Sequence, residues 1–553
     1  MKEKLLNLFR KHGVKLLIGV MFLAAAGAGD RYFEISKNLD IYATLYKEVN
    51  DLYVEEINSS RLMREGIDAM LESLDPYTDF IPESDVEDMR FRTTGQYGGI
   101  GASITQRDDK VMVREVYKGA PADNAGLMPG DKIIKVGDME VIGKGTEEVS
   151  DLLKGQPDSE VSVKLERGPE GEEIEKNITR QQVQVDNVPF YGMIDDNTGY
   201  IKLTNFRQGA TREVRESFET MQEDQGMEQV VLDLRGNPGG LLSQAVSMVN
   251  LFIPQGETVV STKGRVDQWE KEYTTQQEAM DTETPIAVLI DGSSASASEI
   301  VAGAVQDLDR GVVVGQSSFG KGSVQTTREL SYNTQLKVTT AKYYIPSGRS
   351  IEKIDDFVEE EDILELREDR PDEFTTRNGR VVEEADGINP DVITEQEQLD
   401  WFVRNLRNKF LIFDFATQYH HENEEIGDPS EFEITTPTFD EFEAFLNERD
   451  YQYQEAIERE FESFVEKAHT RDDFEEMKEE VEKIQSSLMT DLNDKLQGNE
   501  QVVKDQLSEE IAARFHYESG RVEASFKNDN DVQEARRVLS DIDEYESILA
   551  VSE

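Results

Sequence analysis

The chain has 553 residues, enough for three or four domains. It contains no cysteine, which excludes a disulfide framework, a thiolate nucleophile and any metal site built on sulfur. Lys and Arg number 59 against 115 Asp and Glu, a formal charge of -56, so most of the surface repels a phosphate backbone and nucleic acid is excluded as a partner.

The amino terminus carries Lys2, Lys4, Arg10, Lys11 and Lys15 ahead of the apolar run LLIGVMFLAAAGAG. A basic head and a short apolar stretch predict an export signal or a membrane anchor over residues 1–29. The run is shorter than the roughly 20 residues of a comfortable spanning helix, and Ala26-Gly27-Ala28 offers a cleavage pattern; uncleaved, it would make the membrane a partner. Either way the rest is expected outside the cytoplasm, periplasmic or held at the outer face of the cytoplasmic membrane.

Residues 30–92 show apolar spacing of helical period in DIYATLYKEVNDLYV and RLMREGIDAMLESL, ending in the turn-rich LDPYTDFIPESD. Residues 93–168 alternate short β-like runs with Gly and Pro turns and hold one helical stretch, TEEVSDLLKG, which predicts a compact domain of its own. From 169 to 395, GYIKLTNF, QVVLDLRG, PIAVLIDG and GVVVG alternate with helical stretches, the pattern of an α/β core. Residues 396–553 read as charged helices broken at QGNE. Residues 351–553 hold 59 acids and 21 bases, so -38 of the -56 lies there. Such an extension reads as a solvated surface, with adaptation of the whole protein to high salt as the alternative. The predicted fold class is multidomain α/β.

None of the five histidines, His12, His420, His421, His469 and His516, falls in the α/β core, which excludes a Ser-His-Asp arrangement built inside it. The densest chemistry lies between Pro285 and Gln325. There an apolar strand, a turn of small residues and an Ala-rich helix place Ser296 at the helix entrance, where open N–H groups and the dipole favour an oxyanion. Plain capping by Ser294, Ser296 or Ser298 is the competing use of these hydroxyls. With no local His or Cys, the candidate base is Lys321 in FGKGSVQ. A solvated lysine has a pKa near ~10.4, and lowering it to ~7 asks for roughly 4–5 kcal/mol of desolvation. Gly320 and Gly322 remove bulk around the amine, and Gln325 is placed to orient it without adding charge. In DLRGNPGGLL, Gly239 or Gly240 is the candidate second oxyanion donor beside the amide of Ala297. The run GQSSFGK imitates a phosphate loop, but residue 322 is Gly where a hydroxyl must reach magnesium, and β-like sequence follows where a helix is required.

Taken together, GSSASASEI, QD and FGKGSVQ, with DLRGNPGGLL upstream and LKVTTAKYYIPSGRSI downstream, resemble the carboxyl-terminal processing proteases, or tail-specific proteases. The resemblance runs from about Leu39 to Asn389. It implies Ser296 as nucleophile, Lys321, 25 residues later, as base, and Gln325 completing a Ser-Lys-Gln triad. It also implies that residues 93–168 are a PDZ domain, consistent with the Gly-rich YGGIGASI. Amides of Gly99, Ile100 and Gly101 would then capture a chain-terminal carboxylate while the peptide adds as a strand beside Ala102 to Thr105. The resemblance thus implies an exported serine endopeptidase, with proteins or peptides bearing free C-termini as partners and no cofactor. The extension departs from the family's common pattern and leaves homo-oligomer formation, substrate selection and salt tolerance open as its work. A catalytically inactive PDZ tether is the alternative from another class.

Overall fold

A computed structural model describes residues 32–551 apart from 169–170, 353–372, 384–385, 396–398, 450 and most of 452–491. The leader expected over residues 1–29 lies outside the described residues. The chain divides into two units, the first comprising residues up to 81 with 327–338 and the second the remainder.

In the first unit, helix α1 (32–52) leaves Phe33, Leu39 and Leu45 exposed. Helix α2 (Ser59–Glu72) starts where the Asn58 side chain accepts the amide of Arg61 at 3.0 Å. The LDPYTDFI segment is a side-chain-closed turn: Asp75 accepts the amides of Tyr77 and Thr78 and the Thr78 hydroxyl at 2.7–2.8 Å. It delivers strand β1 (Asp79–Ile81), and the Arg64 guanidinium lies 5.3 Å over the Phe80 ring.

The second unit begins with α3 (Val86–Thr94) and β2 (Gln96–Gly99), then the strands β3 (Ala102–Arg107) and β4 (Lys110–Val116), a short helix α4 (Pro121–Asn124), β5 (Lys132–Val136), β6 (Met139–Glu140), helix α5 (Thr146–Leu153), β7 (Glu160–Arg167), β8 (Glu172–Thr179) and β9 (Gln181–Gln184). The sheet order is β3-β4-β5-β7-β8, with β6 paired to β5 and β2 paired to β9. Alternate residues Val161, Val163 and Leu165 of β7 face a core with Val111, Val113, Ile133 and, from α5, Val149 and Leu153. Beside this core Asp131, 1% exposed, takes a two-pronged bond from Arg167 at 2.6 Å. The expected domain end at 168 falls inside the β7–β8 hairpin, because the turn signal of Gly168 and Gly171 closes a hairpin of one sheet and does not separate domains.

The α/β core follows: β10 (Phe190–Met193), β11 (Thr198–Lys202), α6 (Ala210–Gln225), β12 (Gln229–Asp233), α7 (Leu242–Phe252), β13 (Thr258–Lys263), β14 (Lys271–Thr274), β15 (Ile286–Ile290), α8 (Ala297–Asp307), β16 (Val312–Gly315), the hairpin β17 (Ser323–Glu329) and β18 (Gln335–Tyr344), a second hairpin β19 (Glu373–Thr375) and β20 (Val381–Glu383), and β21 (Val392–Ile393). Its central sheet, β10-β11-β12-β15-β16-β21, is parallel except for β10. A parallel sheet must be covered on both faces. Val230, Leu232, Ile286, Val288, Ile290 and Val313 pack into the cluster that holds α6, α7 and α8. The alternating residues Val231, Ala287, Leu289, Val312 and Val314 point the other way.

That second face is covered by the acidic extension, whose described helices include α9 (Trp401–Asn408), α10 (Leu411–Glu422), α11 (Thr436–Glu448), α12 (Leu492–Gly498), α13 (Glu500–Ser525), α14 (Asn530–Ser540) and α15 (Ile542–Leu549). Phe526, Val532, Ala535, Val538, Leu539 and Tyr545 lie on the sheet, with the Phe526 ring 4.8 Å from that of Tyr200. The extension also has its own core of Phe402, Phe415, Phe439, Phe442 and Leu507. Solvated surface is therefore an incomplete description of it: its described residues supply apolar clusters, one of which completes the protease fold. It also touches the domain of β3–β8, through the Arg107–Asp414 pair at 2.6 and 2.8 Å and the Tyr517 hydroxyl donating to Asp123 at 3.0 Å.

Candidate active site

β15 ends in the turn Asp291–Ala295 and α8 begins immediately after Ser296. The neighbouring hydroxyls are committed to the scaffold: Ser294 donates to the carbonyl of Leu234 and Ser298 to that of Asn237, both at 2.9 Å. Ser296 differs. Its side chain makes no helix-capping bond, and the Tyr343 hydroxyl lies near it. Burial pushes Tyr343 up to about 12, so the phenol keeps its proton at neutrality. Ser296 adopts φ 55°, ψ -109°, a left-handed backbone uncommon for a residue with a Cβ, held at the corner between strand and helix.

What holds that corner is Glu299, which is 0% exposed. One oxygen, Oε2, accepts the backbone amides of Ser296 at 2.7 Å and Lys321 at 2.9 Å; the other, Oε1, accepts the Ser318 hydroxyl at 2.6 Å and the amide of Gly320 at 2.7 Å. The two backbones separated by 25 residues in sequence are thus tied to a single carboxylate oxygen, and Lys321 itself is half-buried. Burial pushes the Glu299 carboxyl above its usual range, and the bonds from Ser318, Gly320, Ser296 and Lys321 oppose that shift. The sequence reading missed Glu299. Its signal was an acid in the first turn of ASEIVAGAVQD, a helix whose every residue is buried.

The glycines beside the lysine have reasons other than making room for its amine. Gly320 sits at φ +89°, and a Cβ on Gly322 would stand 2.6 Å from the Glu352 backbone nitrogen. The Gln325 amide donates to the hydroxyls of Ser323 at 2.9 Å and Thr339 at 3.3 Å, tying the start of β17 to β18.

Behind Ser296, β12 ends at Asp233, where Lys202, Tyr200 and Arg235 converge. Burial works against its charge, but Arg235 and Lys202 outweigh it and hold the carboxyl well below the ordinary range. Arg235 also reaches Asp529 at 2.7 Å and Asp531 at 2.8 Å, joining this strand end to the extension. The turn that follows is set by Asn237, whose side chain donates to the Leu203 carbonyl and accepts the amide of Gly239 at 2.9 Å. Gly239 (φ +94°) lies against the corner: a Cβ there would be 2.8 Å from the nitrogen of Ala297 and 2.9 Å from Ser296 Cβ. Of the two expected oxyanion glycines, Gly239 has therefore given its N–H to Asn237, whereas Gly240 is exposed. Ala297 occupies the first helical position, where the N–H has no intrahelical acceptor.

The expected peptide site is assembled separately. Gly99, Ile100 and Gly101 form the loop into Ala102 of β3, which is an edge strand facing α5 across a groove of about 380 Å³. The groove is lined by Tyr97, Ile100, Ala102, Ile104, Ser150 and Leu153, among others.

Comparison with known proteins matches residues 197–359 to peptidase family S41, residues 112–167 to the PDZ domain, and residues 402–539 to a helical domain described as the C-terminal helical domain of a probable PDZ-protease. A probable CtpA-like serine protease of Staphylococcus aureus is 33% identical over 363 residues, 63% of this chain and 72% of that protein. A carboxy-terminal-processing protease of Bartonella bacilliformis is 34% identical over 345 residues, 62% of this chain and 79% of that protein. Among solved structures, a photosystem II D1 C-terminal processing protease matches with 28% identity and a TM-score of 0.35, over 65% of this chain and 93% of that one. With a PDZ domain, an S41 core and relatives alike over most of their length, the chain belongs to the carboxyl-terminal processing protease family of serine peptidases.

Proposed function

We propose that this serine peptidase is exported, binds the carboxyl end of a protein chain in its PDZ groove, and cleaves by a Ser-Lys mechanism. Ser296 Oγ attacks the scissile carbonyl carbon while its proton passes to the neutral amine of Lys321. The tetrahedral oxyanion takes N–H donors from Ala297 and Gly240. Collapse of this intermediate breaks the C–N bond as Lys321 returns the proton to the leaving amine, and water then hydrolyses the acyl-enzyme by the same relay. Gln325 orders the start of β17, two residues after Lys321.

The observation that supports this reading is the Glu299 oxygen shared by the backbone amides of Ser296 and Lys321, which ties the segments carrying the proposed nucleophile and base to one group at a helix entrance. The PDZ part is supported by the open edge of β3 and the glycine loop before it, which together offer an extended peptide both a ladder and amide donors for its terminus. Export is supported by the basic-then-apolar leader.

The test is cleavage of an unfolded protein by the wild type, Ser296→Ala and Lys321→Arg, with substrates ending in a free carboxylate or an amide. Both variants are expected to be inactive with their fold retained, since Arg cannot give up its proton, and the amidated substrate is expected to be cut with a raised KM. Cleavage by Ser296→Ala would move the nucleophile elsewhere.

A further inference from the structure

The peptide groove has unlike ends. Its floor is apolar, with Ile100, Ala102, Ile104 and Leu153, and its rim on α5 is polar, with Thr146, Glu147, Ser150 and Lys154. The end of α5 adjoins the carboxylate loop: the Lys154 Cα lies 3.7 Å from where a Cβ on Gly99 would be, and the amide of Gly155 donates to the Gly98 carbonyl at 3.0 Å. Lys154 itself is paired with Asp88 at 2.6 Å. At the far end, the first turn of α5 carries two adjacent acids. Glu148 is committed to the helix start, where it accepts the amide of Gly145 at 3.3 Å and the ammonium of Lys144 at 3.1 Å. Glu147 is exposed, lines the groove and makes no ion pair among the described residues.

We propose that Glu147 is a specificity-determining residue of this groove, favouring chain ends that carry a lysine or arginine third from the terminus. The inference rests on the reading that the groove takes free C-termini. From Lys154 back to Glu147 the helix runs about two turns, roughly 10 Å at 1.5 Å per residue. A peptide paired to β3 with its carboxylate in the glycine loop advances about 3.4 Å per residue, and every second side chain faces α5. The last side chain therefore meets Leu153 and the apolar floor. The next on that face, third from the end, comes level with the first turn of α5. There a cationic side chain is attracted by Glu147 and an acidic one is repelled. The side chain between them points away from the helix, so its charge is read only weakly. Because Glu147 stays in contact with water, the discrimination is modest: it ranks chain ends that the glycine loop and the apolar floor already hold.

The measurement is fluorescence anisotropy at about 0.15 M salt, on the full chain carrying Ser296→Ala so that nothing is cleaved. The labelled peptides share one hydrophobic sequence, carry Lys or Glu third from the end, and are made both as free acids and as C-terminal amides. With Glu147 in place, the Lys free acid is expected to bind about three- to ten-fold more tightly than the Glu free acid. That ratio should fall in Glu147→Gln and fall further, to unity or below, in Glu147→Lys. Asp138→Lys makes an equal charge change at the exposed turn between β5 and β6, outside the groove, and is expected to leave the ratio as it was. Melting temperatures control for the fold, and the neutral Gln variant serves if the Lys variant is destabilised at the helix start. A ratio unmoved by substitution at Glu147, or moved as far by Asp138→Lys, overturns the proposal, since an acid that only complements the helix dipole alters the affinity for both peptides alike. Free acids and amides bound equally by the Glu147 form refute the chain-end reading itself. Acids preferred over amides with no difference between Lys and Glu leave that reading standing and overturn only the role of Glu147.

Discussion

Replacing Glu299 by Gln isolates the group that ties Ser296 to Lys321. The best amide orientation keeps the oxygen toward the amides of Ser296 and Lys321 and turns the NH2 toward Ser318 and Gly320. Ser318 can reverse and accept, but the Gly320 N–H is left facing another donor inside the protein. One buried unsatisfied donor costs about 1–3 kcal/mol, and the two retained bonds each lose charge assistance worth roughly 1 kcal/mol. Removing a buried carboxylate gives back part of this, as the raised pKa of Glu299 indicates. The expected balance is a loss of about 2–4 kcal/mol, concentrated on the loop that presents Lys321. Steady-state cleavage of a fluorogenic peptide should show kcat reduced by about 30- to 1000-fold, with KM little changed. Thermal unfolding should fall by only a few degrees. A variant with wild-type kcat would show that the shared carboxylate is scaffolding without influence on the reacting groups, and the geometric basis of the proposed mechanism would be lost.

Two further perturbations address the extension. Phe526→Ala opens the contact with Tyr200 and Phe190 and is expected to lower stability by about 3–5 kcal/mol in denaturant unfolding; a change below about 1 kcal/mol would mean that the helices do not seal the sheet. Burial pushes Glu509 up to about 7, with Arg521 and Arg407 opposing. A carboxyl raised on folding contributes stability that is fully present below its unfolded value near 4.5 and is lost as pH rises through about 7. Glu509→Gln should therefore exceed the wild type by about 1–3 kcal/mol at pH 9 and match it at pH 5; a pH-independent difference would contradict this assignment.

Much of this fold is written in short-range signals. Ser296 follows an apolar strand and precedes an Ala-rich helix, so its place at a helix entrance is readable from residues close by. The Asp75 turn likewise lies within a few residues of its partners. What the sequence conceals are contacts made across long separations. Glu299 reads as an ordinary first-turn acid, favoured by the helix dipole, until the loop of Ser318–Lys321 folds onto it. The two-sided burial of IAVLI and QVVLD already demands cover on both faces of the sheet, and the helices between those strands supply only one. The other comes from VQEARRVLS, whose Val532, Ala535, Val538 and Leu539 recur at helical spacing but are diluted by charge. The sequence leaves Gly239 and Gly240 both open as N–H donors; the acceptor that occupies the first, Asn237 Oδ1, is a side-chain orientation that sequence spacing does not specify.

The most direct measurement is mass-spectrometric mapping of a serine-reactive fluorophosphonate on the wild type and on Lys321→Met. The account predicts one adduct, at Ser296, and no adduct on the folded methionine variant. Labelling of a different serine, or modification of Ser296 at an undiminished rate without the lysine amine, would contradict it.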